Sequence, residues 1–112
     1  MPKFDKIDLL QGTLDMLVLK TLARGGSMHG YAIARWVQQT TDDALRLEEG
    51  TLYPALYRME HKGWIVSKWG LSENNRKARY YRLTSAGRKQ LEAESRAWTS
   101  ISEAIAKIMQ TA

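Results

Sequence analysis

Glu49-Gly50-Thr51-Leu52-Tyr53-Pro54-Ala55-Leu56-Tyr57-Arg58-Met59-Glu60-His61-Lys62-Gly63-Trp64-Ile65 decides the fold of this chain. Leu52, Ala55, Leu56 and Met59 recur at the 3, 4 spacing of a helix with one inward stripe, while Tyr53, Tyr57, Arg58 and His61 point elsewhere. Thr51 is placed to cap this helix, with Pro54 in its first turn, where a missing N–H costs little. Gly63 ends it as a left-handed cap. A strand follows at once, because Trp64-Ile65-Val66-Ser67-Lys68-Trp69 is aromatic and β-branched. Gly70 through Arg76 is polar and holds Asn74-Asn75, a hairpin tip. The return strand runs from about Ala78 to Leu83, with Tyr81 and Leu83 on one face and Tyr80 and Arg82 on the other.

Upstream, a first helix is expected from about Leu9 to Ala23. Leu10, Leu14, Leu17, Val18 and Leu22 form its core stripe. Leu9, Met16 and Leu19 form a second apolar side, buried against another subunit or within the chain's own core. Gly25-Gly26-Ser27 breaks this helix, and Ser27 is placed to cap a second one carrying Ile33, Ala34 and Val37. Downstream, Thr84 caps a long helix from about Ser85 to Gln110. Leu91, Trp98 and Ile105 recur there every seven residues, with Ile101 and Ile108 three beyond the last two. Two heptads are too few for a lone coiled coil, but they suit a helix packing against its twin and against the first helix. The expected fold is mainly α with a small β-hairpin: a winged helix-turn-helix over residues 1–84 and a dimerisation helix over 85–112, in one structural unit.

The 112 residues carry a formal charge of +5, unevenly spread. Residues 58–89 hold nine basic and two acidic side chains; the remainder holds eight basic and ten acidic ones, so all the excess lies on the strand pair and its flanking helix ends. A localised positive field suits a polyanion, since affinity arises from counterion release. Without cysteine there is neither a disulfide framework nor a thiolate metal site. No apolar run reaches membrane-spanning length and no signal peptide is indicated, so a cytoplasmic protein is expected. Asp42-Asp43 and Glu48-Glu49 are adjacent pairs on a polar loop, which do not converge on a substrate. His29 and His61 lack partners at ligand spacing, and no phosphate-binding glycine loop is present. Neither an enzyme, a metal site nor a cofactor is expected.

Helix, helix, reading helix and wing is the order of proteins that place the later helix in the major groove of DNA. On that plan Tyr31, Thr51, Tyr53 and Arg58 are the helical contacts. Lys68, Arg76, Lys77 and Arg79 are the wing cations, with Arg76 and Lys77 projecting farthest. The N-terminus of the third helix is expected to attract phosphate. Leu9, Met16, Leu19, Leu91, Trp98, Ile101, Ile105 and Ile108 are the expected dimer contacts. The alternatives are a winged-helix protein-interaction module without DNA, or a ligand-sequestering protein centred on Trp98.

The chain resembles PadR-type transcriptional regulators. The resemblance rests on Leu14-Asp15-Met16-Leu17-Val18-Leu19, His29-Gly30-Tyr31-Ala32-Ile33, the block Glu49 to Glu60, and Arg79-Tyr80-Tyr81-Arg82-Leu83-Thr84 with Gly87. It implies a homodimeric winged-helix repressor on a pseudo-palindromic double-stranded operator, often released by a small aromatic effector. Ala32, where the family often has glutamate, and Ser27-Met28, in place of a proline-containing turn, depart from the pattern without threatening the fold. The single long last helix is similar to that of short-tailed members, some of which sandwich a flat ligand between paired tryptophans. Trp98 occupies a suitable position for that, although ordinary interface packing accounts for it more simply.

Overall fold

The computed structural model describes residues 11–112. The expectations for Leu9 and Leu10 fall outside them. Helix α1 (Gln11–Gly25) is followed by a short strand β1 (Met28–His29), α2 (Gly30–Thr40), α3 (Glu49–His61), the hairpin β2 (Ile65–Leu71) and β3 (Lys77–Leu83), and α4 (Ser85–Met109). The sheet is antiparallel in the order β1-β3-β2, so the expected hairpin gains a third strand from the start of α2. Met28 pairs with Tyr81 and His29 with Tyr80.

Leu14, Val18, Leu19 and Leu22 of α1 pack with Ile33 and Val37 of α2, the α3 stripe Leu52, Ala55, Leu56 and Met59, and Ile65, Tyr81 and Leu83 from the sheet. The assignment of α1's two sides is corrected here. Leu19 is fully buried in this core and cannot serve a dimer interface, whereas Leu17 is only half-buried. The inward face follows 14, 15, 18, 19 and 22 (one residue past the expected stripe at the middle turn), and this brings Asp15 inside. Leu47, in the loop before α3, is also buried and pins that loop to the core.

Two of the three N-cap expectations are corrected. Ser27 does not cap α2; His29 does, its Nδ1 accepting the Ala32 N–H at 3.1 Å. Thr51 does not cap α3, because the helix starts two residues earlier and the Thr51 N–H already donates to the Glu48 carbonyl at 3.0 Å. Pro54 therefore lies inside the helix, not in its first turn. The bond it forfeits is to Gly50, on an exposed edge where water can take its place. Thr84 caps α4 as expected, accepting from the Gly87 N–H at 3.1 Å. The same hydroxyl donates to the Gly63 carbonyl at 2.6 Å, tying the start of α4 to the turn where α3 becomes β2. Gly63 holds that turn with φ +79°. Gly87 is required there too: a Cβ would collide with the Trp64 carbonyl oxygen.

Beyond Arg96 the α4 side chains are almost all exposed, including Trp98, Ile101, Ile105, Ile108 and Met109. Leu91 instead packs partly on the chain's own core. The unpartnered apolar seam therefore begins at Trp98.

Candidate nucleic-acid interface

The register of the hairpin sorts its residues into two faces. Ile65 pairs with Leu83, Ser67 with Tyr81, Trp69 with Arg79 and Leu71 with Lys77. Since alternate residues share a face, these four pairs form one surface that runs from the core to the wing tip. It begins apolar and buried at Ile65 and Leu83 and ends exposed, aromatic and cationic. Trp69, 59% exposed, carries the Lys77 ammonium 5.1 Å and the Arg79 guanidinium 5.6 Å from its ring centre. The opposite face is pinned by Tyr80, whose hydroxyl donates to the Leu71 carbonyl at 2.8 Å and whose ring meets His29 edge-on at 5.3 Å.

The cationic end of this surface looks across an open cleft of about 740 Å³. One wall is the wing, with Trp69, Arg76, Lys77 and Arg79; the other is His29 of β1, Gly30, Tyr31 and Arg35 of α2, and Tyr53 of α3. Glu73 is its single carboxylate. Burial at the base of the cleft raises the Tyr81 phenol above its ordinary value, Arg79 acting in the opposite sense. The helix N-terminus that opens into the cleft is that of α2, whose first turn holds no acidic residue. The N-terminus of α3, expected to attract phosphate, is flanked by the exposed carboxylates of Glu48 and Glu49, which oppose an anion there.

The structure brings Tyr31, Tyr53, Arg76, Lys77 and Arg79 to this cleft. Arg79 is partly committed: its Nε donates to Ser67 Oγ at 2.8 Å, Ser67 Oγ donates to Glu60 at 2.6 Å, and Arg79 Nη2 lies 3.8 Å from the same carboxylate. This chain of bonds ties the wing to the end of α3. Lys68 is exposed on the other face of β2, opposite Tyr80 and away from the cleft. Thr51 is exposed at the start of α3, outside the cleft lining.

Arg58 is the clear correction. Its Nη1 and Nη2 donate to the two carboxylate oxygens of Asp15, both at 2.8 Å, and the Asp15 side chain is only 3% exposed. The hydrogen bond to Asp15 raises the Arg58 guanidinium above its ordinary value, against the opposing effect of burial. A guanidinium held in this way is not free to reach DNA. The sequence offered Arg58 as a polar-face cation because its partner lies 43 residues away. Two contributors were missed. Arg35 sits one turn after Tyr31 on the same face of α2, a spacing that was available to find it. Trp69 read only as a strand former. Tyr57, one turn after Tyr53 on α3, is 75% exposed.

The model of the Transcriptional regulator PadR-like family matches residues 18–93. The chain belongs to that family. It is 37% identical over 75 residues to the transcriptional regulator Rv3488 of Mycobacterium tuberculosis, covering 67% of this chain and 66% of that protein. Among solved structures, a transcriptional regulator from Clostridium thermocellum superposes with a TM-score of 0.80 at 32% identity, over 90% of this chain and 97% of that one. A PadR family regulator from Eggerthella lenta gives 0.75 at 30% identity, over 91% and 86%. The PadR-like fold is thus a winged helix with a long C-terminal helix, its wing formed by β2 and β3. Among the described residues no helix is long and apolar enough to cross a membrane.

Proposed function

We propose that this PadR-like protein is a cytoplasmic homodimeric repressor that binds a pseudo-palindromic DNA operator and is released by a small aromatic effector. The observation that carries the DNA contact is the cleft: four cations against one carboxylate, walled by Tyr31, Tyr53 and Trp69 and open to solvent. Phosphate oxygens meet Arg35, Arg76, Lys77 and the α2 N-terminus, which position the duplex without reading it. Tyr53 and Tyr57, on the exposed side of α3, are then the residues that face base edges in the major groove.

Dimerisation is supported by the α4 seam of Trp98, Ile101, Ile105 and Ile108, a row of large apolar side chains without cover in the single chain. A two-fold partner covers the same seam with itself, since the surfaces across such an axis are identical. Trp98, half-exposed on that seam, is the platform on which a flat effector would stack. Enrichment of bound DNA from a random pool tests the central part. A symmetric site with half-sites about 10 base pairs apart is expected, whereas enrichment of an unsymmetric site, or of none, contradicts it. Quenching of tryptophan fluorescence by flat aromatic compounds, absent in Trp98→Ala, tests the effector.

A further inference from the structure

The Asp15–Arg58 pair is not explained by burial alone. Apolar side chains of similar volume hold two helices together as well as a buried ion pair does. What they lack is direction. A guanidinium fork on a carboxylate fixes both separation and angle, because two parallel bonds must be satisfied at once. Here both bonds measure 2.8 Å, and no buried side-chain polar atom among the described residues is left without a partner.

The placement of the pair gives that direction a consequence. Arg58 follows Tyr57 directly on α3 and lies five residues beyond Tyr53, so it belongs to the same rigid turns as the exposed tyrosines. Asp15 lies on α1, which packs on its other side against α4. Met16, Leu17 and Lys20 line a shallow groove there with Leu91 and Ser95, and Gly12 approaches the Glu94 carboxylate. Helix α1 is therefore a spacer between the long C-terminal helix and the reading helix. The fork is its one charged link to α3 among the described ion pairs.

We propose that Asp15 and Arg58 are positioning residues: their fork sets the rotation of α3 against α1 and so aims Tyr53 and Tyr57, making sequence discrimination, more than phosphate affinity, depend on it. This rests on the DNA-binding function proposed above.

The test compares the full-length protein with Asp15→Leu/Arg58→Met, an apolar pair, and with Arg58→Lys, which keeps the charge but not the fork. Thermal unfolding is measured together with affinity for the selected site and for random duplex at one salt concentration. The double variant is expected to fold and to bind random duplex within about threefold of the wild type, since the cleft cations are untouched. Its ratio of specific to random affinity is expected to fall by about tenfold or more, the scale of one misread base pair. Arg58→Lys should lose part of the same ratio, and it serves alone if the double variant does not fold. A folded variant of either kind with the wild-type ratio overturns the proposal and leaves the pair as a structural contact. Wild-type protein that binds neither duplex overturns the DNA-binding function itself, and this inference with it.

Discussion

Tyr53 lies across Gly30 so closely that a Cβ at residue 30 would stand 2.7 Å from the phenol oxygen and 2.8 Å from the ring. The start of α2 thus sets where the first tyrosine of α3 can be. Gly30→Ala displaces a half-exposed side chain and no backbone, so its cost to the fold is small. Unfolding midpoints of the two proteins should agree within a few degrees, on the order of the change that ~1 kcal/mol produces. Operator binding by Gly30→Ala, read by fluorescence anisotropy, should weaken by about 1 kcal/mol, the worth of one lost hydrogen bond. Unchanged binding would remove Tyr53 from the interface.

Arg76→Ala tests the wing. Arg76 is exposed at the mouth of the cleft and forms no ion pair among the described residues. Removing a phosphate contact weakens every sequence alike. The slope of log affinity against log salt should therefore fall in magnitude by about one unit per protomer, with specificity unchanged. Arg79→Ala should do less to the slope and more to the fold, because Arg79 also bonds Ser67 beside Glu60.

How much of this was legible in the sequence depended on how local each cause was. The α3 stripe, the Gly63 turn, the Thr84 cap and the β2–β3 hairpin all follow from neighbours within a few residues, and all were readable. Strand β1 was not: two residues carry no period, and Met28 and His29 become a strand only because Tyr80 and Tyr81 arrive beside them. For the same reason Ser27, chemically the better cap, loses to His29, whose backbone the sheet holds extended. Arg58 was misplaced because a cation beside an inward stripe looks like surface until its carboxylate is found. Asp15 was the available sign, a lone acid among apolar residues at an inward position of α1. The charge excess of residues 58–89 located the wing correctly, but not which face of it the cations share. That follows from pairing register.

The α4 seam makes a sharp prediction for assembly. Ile105 is half-exposed in the single chain, so Ile105→Glu costs the monomer fold little. Across a two-fold axis it places like charges in an apolar contact, which is destabilising. Light scattering should find the wild type as a dimer and Ile105→Glu as a folded monomer. A monomeric wild type would contradict the dimer.

Tyr81 supplies a pH dependence with a definite sign. Burial raises its folded-state value, so the unfolded chain gives up this proton first as pH rises. The associated stability is fully present below the ordinary tyrosine value of about 10 and is lost as pH rises through the folded value. Urea unfolding should therefore show a decline above about pH 10 that is shallower in Tyr81→Phe. An identical decline in both would mean that Tyr81 is not the cause.

In the proposed function the cleft between the wing and the starts of α2 and α3 holds DNA phosphate. Equilibrium binding of the wild-type protein to a random duplex across a salt series tests it most directly. Arg35, Arg76 and Lys77 from each of two protomers make about six phosphate contacts, for which a slope near −5 is expected. A slope near zero, or no binding at low salt, would contradict it.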